Sequence, residues 1–199
     1  MLASACSVFG VRSGLEQATY QVEETVGDEI EIRHYEPQIA VKTSSEKGPG
    51  EADSEAFRRL FRYISGANRG ETKIAMTTPV ETNRGGQEIA MTAPVSTERG
   101  ENALEMMFFL PSGYTLATAP EPTDPDVRLV ETPGRRMAVS RFTGFGGRDR
   151  VAAETEELLA RLEASDWRVD GTPVTLFYDP PWTIPYLRRN EVAVSVTRE

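Results

Sequence analysis

His34 and Cys6 are the only histidine and the only cysteine in the 199 residues, so they are the first candidates for chemistry. A single histidine excludes multi-histidine zinc sites, and a single cysteine excludes an intramolecular disulfide. Cys6 lies in an N-terminal stretch with no helical or strand period, which makes Cys–His catalysis a poor explanation. The sequence contains neither a G-x-S-x-G elbow nor an H-E-x-x-H helix. We therefore expect a protein that is not an enzyme.

The charge balance argues against another class of function. The formal net charge is −9, the pI is near 4.9, and no block rich in lysine or arginine stands out. This composition disfavours DNA or RNA as the main partner. No apolar run approaches the roughly 18 residues of a transmembrane helix. The length suits one domain, or two small ones, with a hydrophobic core.

The first residues look like the end of a bacterial lipoprotein signal, because small residues precede the cysteine in Leu2-Ala3-Ser4-Ala5-Cys6. A complete signal has a basic region and a longer apolar stretch upstream, and the sequence contains neither. We interpret residues 1–19 as the remainder of such a signal plus a linker, with Cys6 as the lipidation site. The alternative is an ordinary unstructured N-terminus with a free thiol.

A seven-residue phrase is written twice, as Ile74–Val80 and as Ile89–Val95, and both copies read I-A-M-T-x-P-V. Proline has no backbone N–H, so each copy suits an edge strand, a bulge or the end of a strand. Polar and glycine residues at 83–86 separate the copies, which predicts a β-ribbon with a glycine-rich tip. The ribbon is either a decorated hairpin or one wall of a ligand site.

Two stretches of the chain predict the same order of elements, strand, helix, strand, strand. In the first stretch these elements fall near 38–43, 51–65, 87–92 and 103–110. In the second they fall near 136–142, 148–164, 173–178 and 189–197. Two such β-α-β-β units can pair their strands in one antiparallel sheet with the helices outside. The sequence therefore predicts an α+β fold in one domain, preceded by a hairpin at 20–35.

Three motifs in this order resemble the SOUL family of haem-binding proteins. They are Glu31–Pro37 (E-I-R-H-Y-E-P), the doubled I-A-M-T-x-P-V phrase, and Pro180–Glu191 (P-P-W-T-I-P-Y-L-R-R-N-E). The resemblance covers about Tyr20 to Glu199, and C-S-V-F-G-V-R-S-G near the N-terminus is similar to bacterial members that follow a lipoprotein signal. It implies one domain at 20–199, folded as a distorted antiparallel β-barrel from two β-α-β-β repeats with two flanking helices.

The resemblance also implies non-catalytic binding of haem or another porphyrin, as a carrier, buffer or sensor. The tetrapyrrole need not be bound in the purified protein. Such a ligand needs a flat apolar surface, cations near its propionates and, in some members, a histidine on the iron. The candidate residues are Phe57 and Phe61 for the macrocycle, Arg58 and Arg62 for the propionates, Trp182 as a cover and His34 as the metal ligand.

Each of these assignments has a simpler alternative. At 100° per residue, Phe57 shares a helical face with Ala56, Leu60 and Ile64, and Phe61 lies at its margin. Both phenylalanines could then belong to a core stripe backed by a solvated basic face. His34 could be an ordinary strand histidine, and Trp182 could plug the end of the barrel. Met76 and Met91 could offer thioether ligands, but methionine in this phrase is more often a core-filling residue.

The whole protein also has an alternative function. A module of the same fold could bind another small ligand or effector, or a protein partner through the ribbon, and not haem. We expect no nucleic-acid partner, and membrane contact only through an N-terminal lipid. The expected location is the periplasmic side of the cell envelope if Cys6 is processed, and the cytoplasm otherwise.

Overall fold

The computed structural model describes residues 16–48, 50–84, 103–179 and 182–198. The described part contains two α-helices, α1 (Glu51–Ile64) and α2 (Arg148–Glu163), and a 3₁₀ turn at Pro185–Leu187. Its strands are β1 (Tyr20–Val26), β2 (Ile30–Tyr35), β3 (Gln38–Ser45), β4 (Val80–Arg84), β5 (Leu104–Phe109), β6 (Val127–Thr132), β7 (Arg135–Phe142), β8 (Trp167–Val169), β9 (Val174–Phe177) and β10 (Asn190–Arg198). Neither described helix is long and apolar enough to cross a membrane.

These strands form one antiparallel sheet. Its order is β1-β2-β7-β10-β9-β4-β5-β3-β6, and β8 pairs with β10 off this path. The predicted α+β class is confirmed. No ladder within the described part of the chain joins β1 to β6, so the predicted distorted barrel is an open, barrel-like sheet.

The predicted duplication accounts for the strand order. The first unit, β3-α1-β4-β5, produces the neighbours β4-β5-β3, and the second unit, β7-α2-β9-β10, produces β9-β10-β7. The two units join where β4 pairs antiparallel with β9, so an approximate twofold axis passes between these two strands. The prediction of two β-α-β-β repeats is confirmed.

The first copy of the doubled phrase is not a strand, which corrects the predicted ribbon. Residues 71–77 have no regular structure, and β4 begins at Val80, directly after Pro79. The strand starts there because proline has no N–H to donate to a ladder. β4 continues to Arg84, within the predicted tip, and lies inside the sheet between β9 and β5. The second copy and the strand predicted near 87–92 lie outside the described residues.

Both helices pack on one face of the sheet, called here the helix face. A row of side chains crosses this face in register over six strands, and its members are Phe142, Asn190, Phe177, Val80, Phe108 and Val41. The end of the row near β3 packs with α1, and the end near β7 packs with α2. α1 begins where the Gly50 N–H donates to Asp53 Oδ2 at 3.2 Å, an arrangement that satisfies a free helix-end donor and suits the helix dipole.

The opposite face, called here the inner face, contains a buried charge network centred on Glu191. The Glu191 side chain has no exposure to solvent, and Arg33 is only 3% exposed. Arg33 donates through Nη1 to Glu191 Oε2 at 2.8 Å and through Nη2 to Oε1 at 3.1 Å. Arg189 donates through Nε to Oε1 at 2.9 Å, and the Tyr178 hydroxyl donates to Oε2 at 2.8 Å. Both carboxylate oxygens are therefore satisfied without water.

The network shifts the ionisation of its members. Burial raises the pKa of Glu191, but the hydrogen bonds from Arg33 and the charges of Arg33 and Arg189 outweigh burial and hold this pKa below its ordinary value. Burial raises the pKa of Tyr178, and the neighbouring Glu191 charge raises it further. The tyrosine therefore stays a hydrogen-bond donor, and the carboxylate stays ionised.

A second buried carboxylate, Glu81, lies in register with Leu176, which in turn lies opposite Glu191. Glu81 is 2% exposed and accepts a hydrogen bond from Arg135 Nη2. Burial raises the pKa of Glu81, and Arg135 opposes that effect. Two buried acidic side chains, Glu81 and Glu191, thus lie on the inner face, and each is paired with arginine from the second unit or its flanking hairpin.

We expect Gly146→Ala to destabilise the fold, because a Cβ at this position would stand 2.4 Å from Phe177 Cε1 in the helix-face row. Overpacking of this kind costs about 1–3 kcal/mol in free energy of unfolding. Gly113→Ala is the matched control, since a Cβ there meets nothing within 4 Å. Urea unfolding of both variants tests this, and equal stabilities would contradict the close approach of Gly146 to Phe177.

We expect Glu191→Gln to lower the free energy of unfolding by about 3–5 kcal/mol at pH 7, because Arg33 and Arg189 would keep buried charges without a carboxylate. Since the folded pKa of Glu191 lies below its ordinary value of 4.5, the wild-type advantage is complete above that value and is lost as the pH falls through the folded pKa. Chemical unfolding at pH 7 and near pH 3 measures both effects.

The control for this prediction is Glu23→Gln, which removes a carboxylate 2.7 Å from Arg136 at the surface. An exposed pair of this kind contributes about 0–1 kcal/mol. A loss as small for Glu191→Gln as for Glu23→Gln would contradict the central role of the network.

Candidate ligand-binding surface

Two aromatic rings lie next to each other on α1, at the margin of its buried face. Phe57 is 38% exposed and Phe61 is 48% exposed, whereas Ala56 and Leu60 on the same helix are completely buried. The two rings are nearly parallel, with an interplanar angle of 12° and centroids 6.0 Å apart. Phe108 supports Phe57 from the sheet in an edge-to-face contact at 5.3 Å. This aromatic platform is therefore not part of the core stripe, and it presents apolar surface to solvent.

Arginines border the aromatic platform. Arg58 is exposed, and its side chain donates through Nε to the Ser54 carbonyl at 3.1 Å. Arg62 is 65% exposed and donates through Nη2 to Asp124 Oδ2 at 3.1 Å. Both guanidinium groups therefore retain N–H donors that can bind carboxylates.

Trp182 lies in the loop between β9 and β10 and is 61% exposed, so it does not plug the end of the sheet. This loop leaves β9 just after Phe177, which lies in register with Val80 and then with Phe108. Two interstrand spacings, or about 10 Å, therefore separate the start of the loop from the strand that supports Phe57. The structure brings the aromatic platform and the base of the Trp182 loop to the same end of the sheet.

His34 lies elsewhere on the sheet. Four strands separate its strand, β2, from β5, which carries Phe108, and this corresponds to roughly 24 Å along the sheet. His34 also lies opposite Arg136, whereas the helix-face row meets β7 at Phe142, about 20 Å along the strand direction. Its Nδ1 lies 3.4 Å from Glu23 Oε1. The structure does not bring His34 to the aromatic platform.

The sulfur-containing candidates have different outcomes. Met76 is half-buried and packs against the core beneath α1, as expected for a core-filling residue. Met91 and Cys6 lie outside the described residues, so lipidation of Cys6 stays a prediction. No group of three or more histidine, cysteine, aspartate or glutamate side chains that could hold a metal ion occurs in the described ranges.

One gap on the inner face, where the two units meet, is small. The gap lined by Tyr35, Glu81, Arg135 and Leu176 on the inner face has a volume of about 10 Å³. This is at the lower limit for a single water molecule. A macrocycle therefore does not fit into this gap.

One exposed aromatic residue, Phe145, was not anticipated from the sequence, and it lies near the loop that carries Tyr186. Phe145 is 66% exposed and Tyr186 is 70% exposed, and their loops are joined by a hydrogen bond from the Gly144 N–H to the Pro185 carbonyl at 3.0 Å. Arg188 lies over the Phe145 ring at 5.0 Å. The sequence signal that could have singled out Phe145 is its position between Gly144 and Gly146.

Known structures share this fold. The C-terminal domain of EcmrR superposes with a TM-score of 0.63 at 11% identity, covering 90% of this chain and 99% of that chain. An uncharacterized conserved protein from Listeria innocua superposes with a TM-score of 0.59 at 12% identity, covering 85% and 92% of the respective chains. At these identities the likeness extends to the fold alone.

Comparison by sequence is more specific. Heme-binding protein 1 from Mus musculus is 29% identical over 163 residues, which cover 78% of this chain and 77% of that protein. Heme-binding protein 2 from Homo sapiens is 32% identical over 142 residues, or 71% of this chain and 62% of that protein. The sequence profile described as SOUL heme-binding protein matches residues 15–195. The resemblance seen in the three motifs is thus confirmed, and the chain belongs to the SOUL heme-binding protein family.

Proposed function

We propose that the protein binds haem or a related tetrapyrrole on the aromatic platform of α1, as a non-catalytic carrier, buffer or sensor. The observation that carries the proposal is the pair of exposed, nearly parallel rings of Phe57 and Phe61, which have no structural partner on their outer side in the described part of the chain. Membership of the family supports the ligand class.

The aromatic platform suits a flat apolar ligand. Phe57 and Phe61 leave 38% and 48% of their surface in water, so a macrocycle laid across them would bury that remainder. Burial of apolar surface is favourable by about 25 cal/mol per Å². Phe57 is held in place by Phe108 beneath it, so the surface is largely formed before the ligand arrives.

Arg58 and Arg62 suit the propionates. Both extend from the same part of α1 as the phenylalanines, and guanidinium groups bind carboxylates with two parallel hydrogen bonds. Arg62 would exchange its contact with Asp124 for one with the ligand, or share it. Trp182 would cover the exposed side of the macrocycle, since its loop starts two strands away.

Iron ligation by the protein is not required for this arrangement. A bound haem supplies its own iron chemistry, and the residues of α1 bind and orient the ring through its face and its propionates. A single macrocycle cannot contact both His34 and the aromatic platform, because the two lie on different parts of the sheet. Ligation of the iron by His34 is therefore a separate prediction. The experiments can therefore decide between them.

We expect Phe57→Ala/Phe61→Ala to weaken hemin binding at least about tenfold, because the macrocycle would lose the apolar surface beneath it. Titration of purified protein with hemin, followed by the Soret band and by tryptophan quenching, measures the affinity. His34→Ala is the control and should leave both the affinity and the Soret position unchanged. A Soret shift in His34→Ala together with normal binding in the double phenylalanine variant would transfer the site to β2. Absence of saturable hemin binding by the wild type would overturn the proposed function.

We expect the wild type to bind hemin more tightly than hemin dimethyl ester, because the ester removes the carboxylates that Arg58 and Arg62 would bind. In Arg58→Gln/Arg62→Gln the preference should fall by about tenfold. Arg150→Gln/Arg161→Gln changes the charge equally on α2 and should retain the preference. An unchanged preference in the α1 variant would show that the propionates lie elsewhere.

A further inference from the structure

A cleft of about 590 Å³ is lined by residues other than those of the aromatic platform of α1. Most of its lining comes from three segments, within residues 16–19, 36–39 and 109–117, and Thr77 and Glu131 complete it. None of the residues 57–62 lines it. A volume of this size falls within the range of pockets for small organic molecules. The cleft is therefore a second candidate site, independent of the proposed tetrapyrrole surface.

The first wall of this cleft is held in place by hydrogen bonds. The Ala18 N–H donates to the Thr78 carbonyl at 3.0 Å, and the Thr78 N–H donates to the Glu16 carbonyl at 3.0 Å. The Ser112 N–H donates to Glu16 Oε1 at 2.8 Å and so ties this wall to the third segment. The cleft is consequently formed without a ligand, which lowers the cost of ordering it on binding.

The lining of the cleft is largely apolar. Ile39 and Tyr114 are half-buried and pack against the core beneath α1. Leu110 is buried, whereas Leu116 is 47% exposed. The exposed part of Leu116 offers apolar surface that a ligand could bury, and the Tyr114 ring offers an aromatic face.

The charges around the cleft are all of one sign. Glu16, Glu36 and Glu131 line it, and none of its described lining residues is a lysine, an arginine or a histidine. Within the described ranges these three carboxylates form no ion pair, whereas acids elsewhere, such as Glu55 and Glu105, are paired with lysine. An apolar cleft with unneutralised carboxylates attracts cations and repels carboxylates.

We propose that this cleft binds an organic cation with an apolar body, such as a quaternary ammonium or phosphonium compound. The apolar body is buried against Leu110, Tyr114 and Leu116, and the positive charge is compensated by the carboxylates of Glu16, Glu36 and Glu131. The same carboxylates disfavour the anionic propionates of a tetrapyrrole, so the two sites select ligands of opposite charge.

Two ions of the same shape and opposite charge test the proposal, tetraphenylphosphonium and tetraphenylborate. Isothermal titration of the full chain should show saturable binding of the phosphonium and at least about tenfold weaker binding of the borate. In Glu36→Gln/Glu131→Gln the affinity for the phosphonium should fall by about tenfold. No saturable binding of the phosphonium, or equal binding of both ions, would overturn the proposal.

Glu156→Gln/Glu163→Gln is the matched control, because it changes the net charge equally at exposed positions on α2. This variant should bind the phosphonium as the wild type does. If it loses as much affinity as Glu36→Gln/Glu131→Gln, the binding reflects general attraction of a cation to an acidic protein, which would overturn the proposal. Saturating phosphonium should also leave the hemin affinity unchanged. If the phosphonium and hemin displace each other, the cleft is not a site separate from the tetrapyrrole site. This result does not depend on which variants weaken hemin binding.

Discussion

A carboxylate that has no contact with solvent has to be neutralised where it lies, and Glu191 imposes this constraint on the inner face. Its partners come from different parts of the chain, since Arg33 lies on β2, Arg189 precedes β10, and Tyr178 follows β9. The N-terminal hairpin therefore joins the second repeat through a buried ion pair as well as a ladder. A fully satisfied hydrogen-bonded network of this kind rigidifies the part of the fold that it joins.

The outer surfaces differ in charge. On α1, arginines border two exposed phenylalanines, and at the cleft near residues 109–117, carboxylates border an apolar lining. In both proposed sites, apolar contact would supply affinity and would discriminate little between flat and bulky ligands. The bordering charges would supply the selectivity, so the two proposed sites differ in the charge of the ligand that they accept.

Much of the architecture was predictable because it depends on local patterns. Strand and helix periodicities predicted the order of elements in both repeats. The doubled phrase misled because its repetition suggested a pair of strands, whereas Pro79 delays the start of β4 to Val80. The short β8 and the 3₁₀ turn at 185–187 were missed, since three residues are too few for a period to show.

By itself, the sequence determined the family, the α+β class, the repeat and the residue types available for binding. Only the tertiary structure decided which of those residues can act together. Helical spacing could not tell whether Phe57 and Phe61 are buried, because residues at the margin of an apolar stripe are covered or exposed according to the sheet beneath them. Strand order depends on pairing between distant segments. It separates His34 from α1 and brings the base of the Trp182 loop close to the strand that supports Phe57. The same long-range pairing placed Glu16, Glu36 and Glu131 around one cleft, which no local pattern indicates.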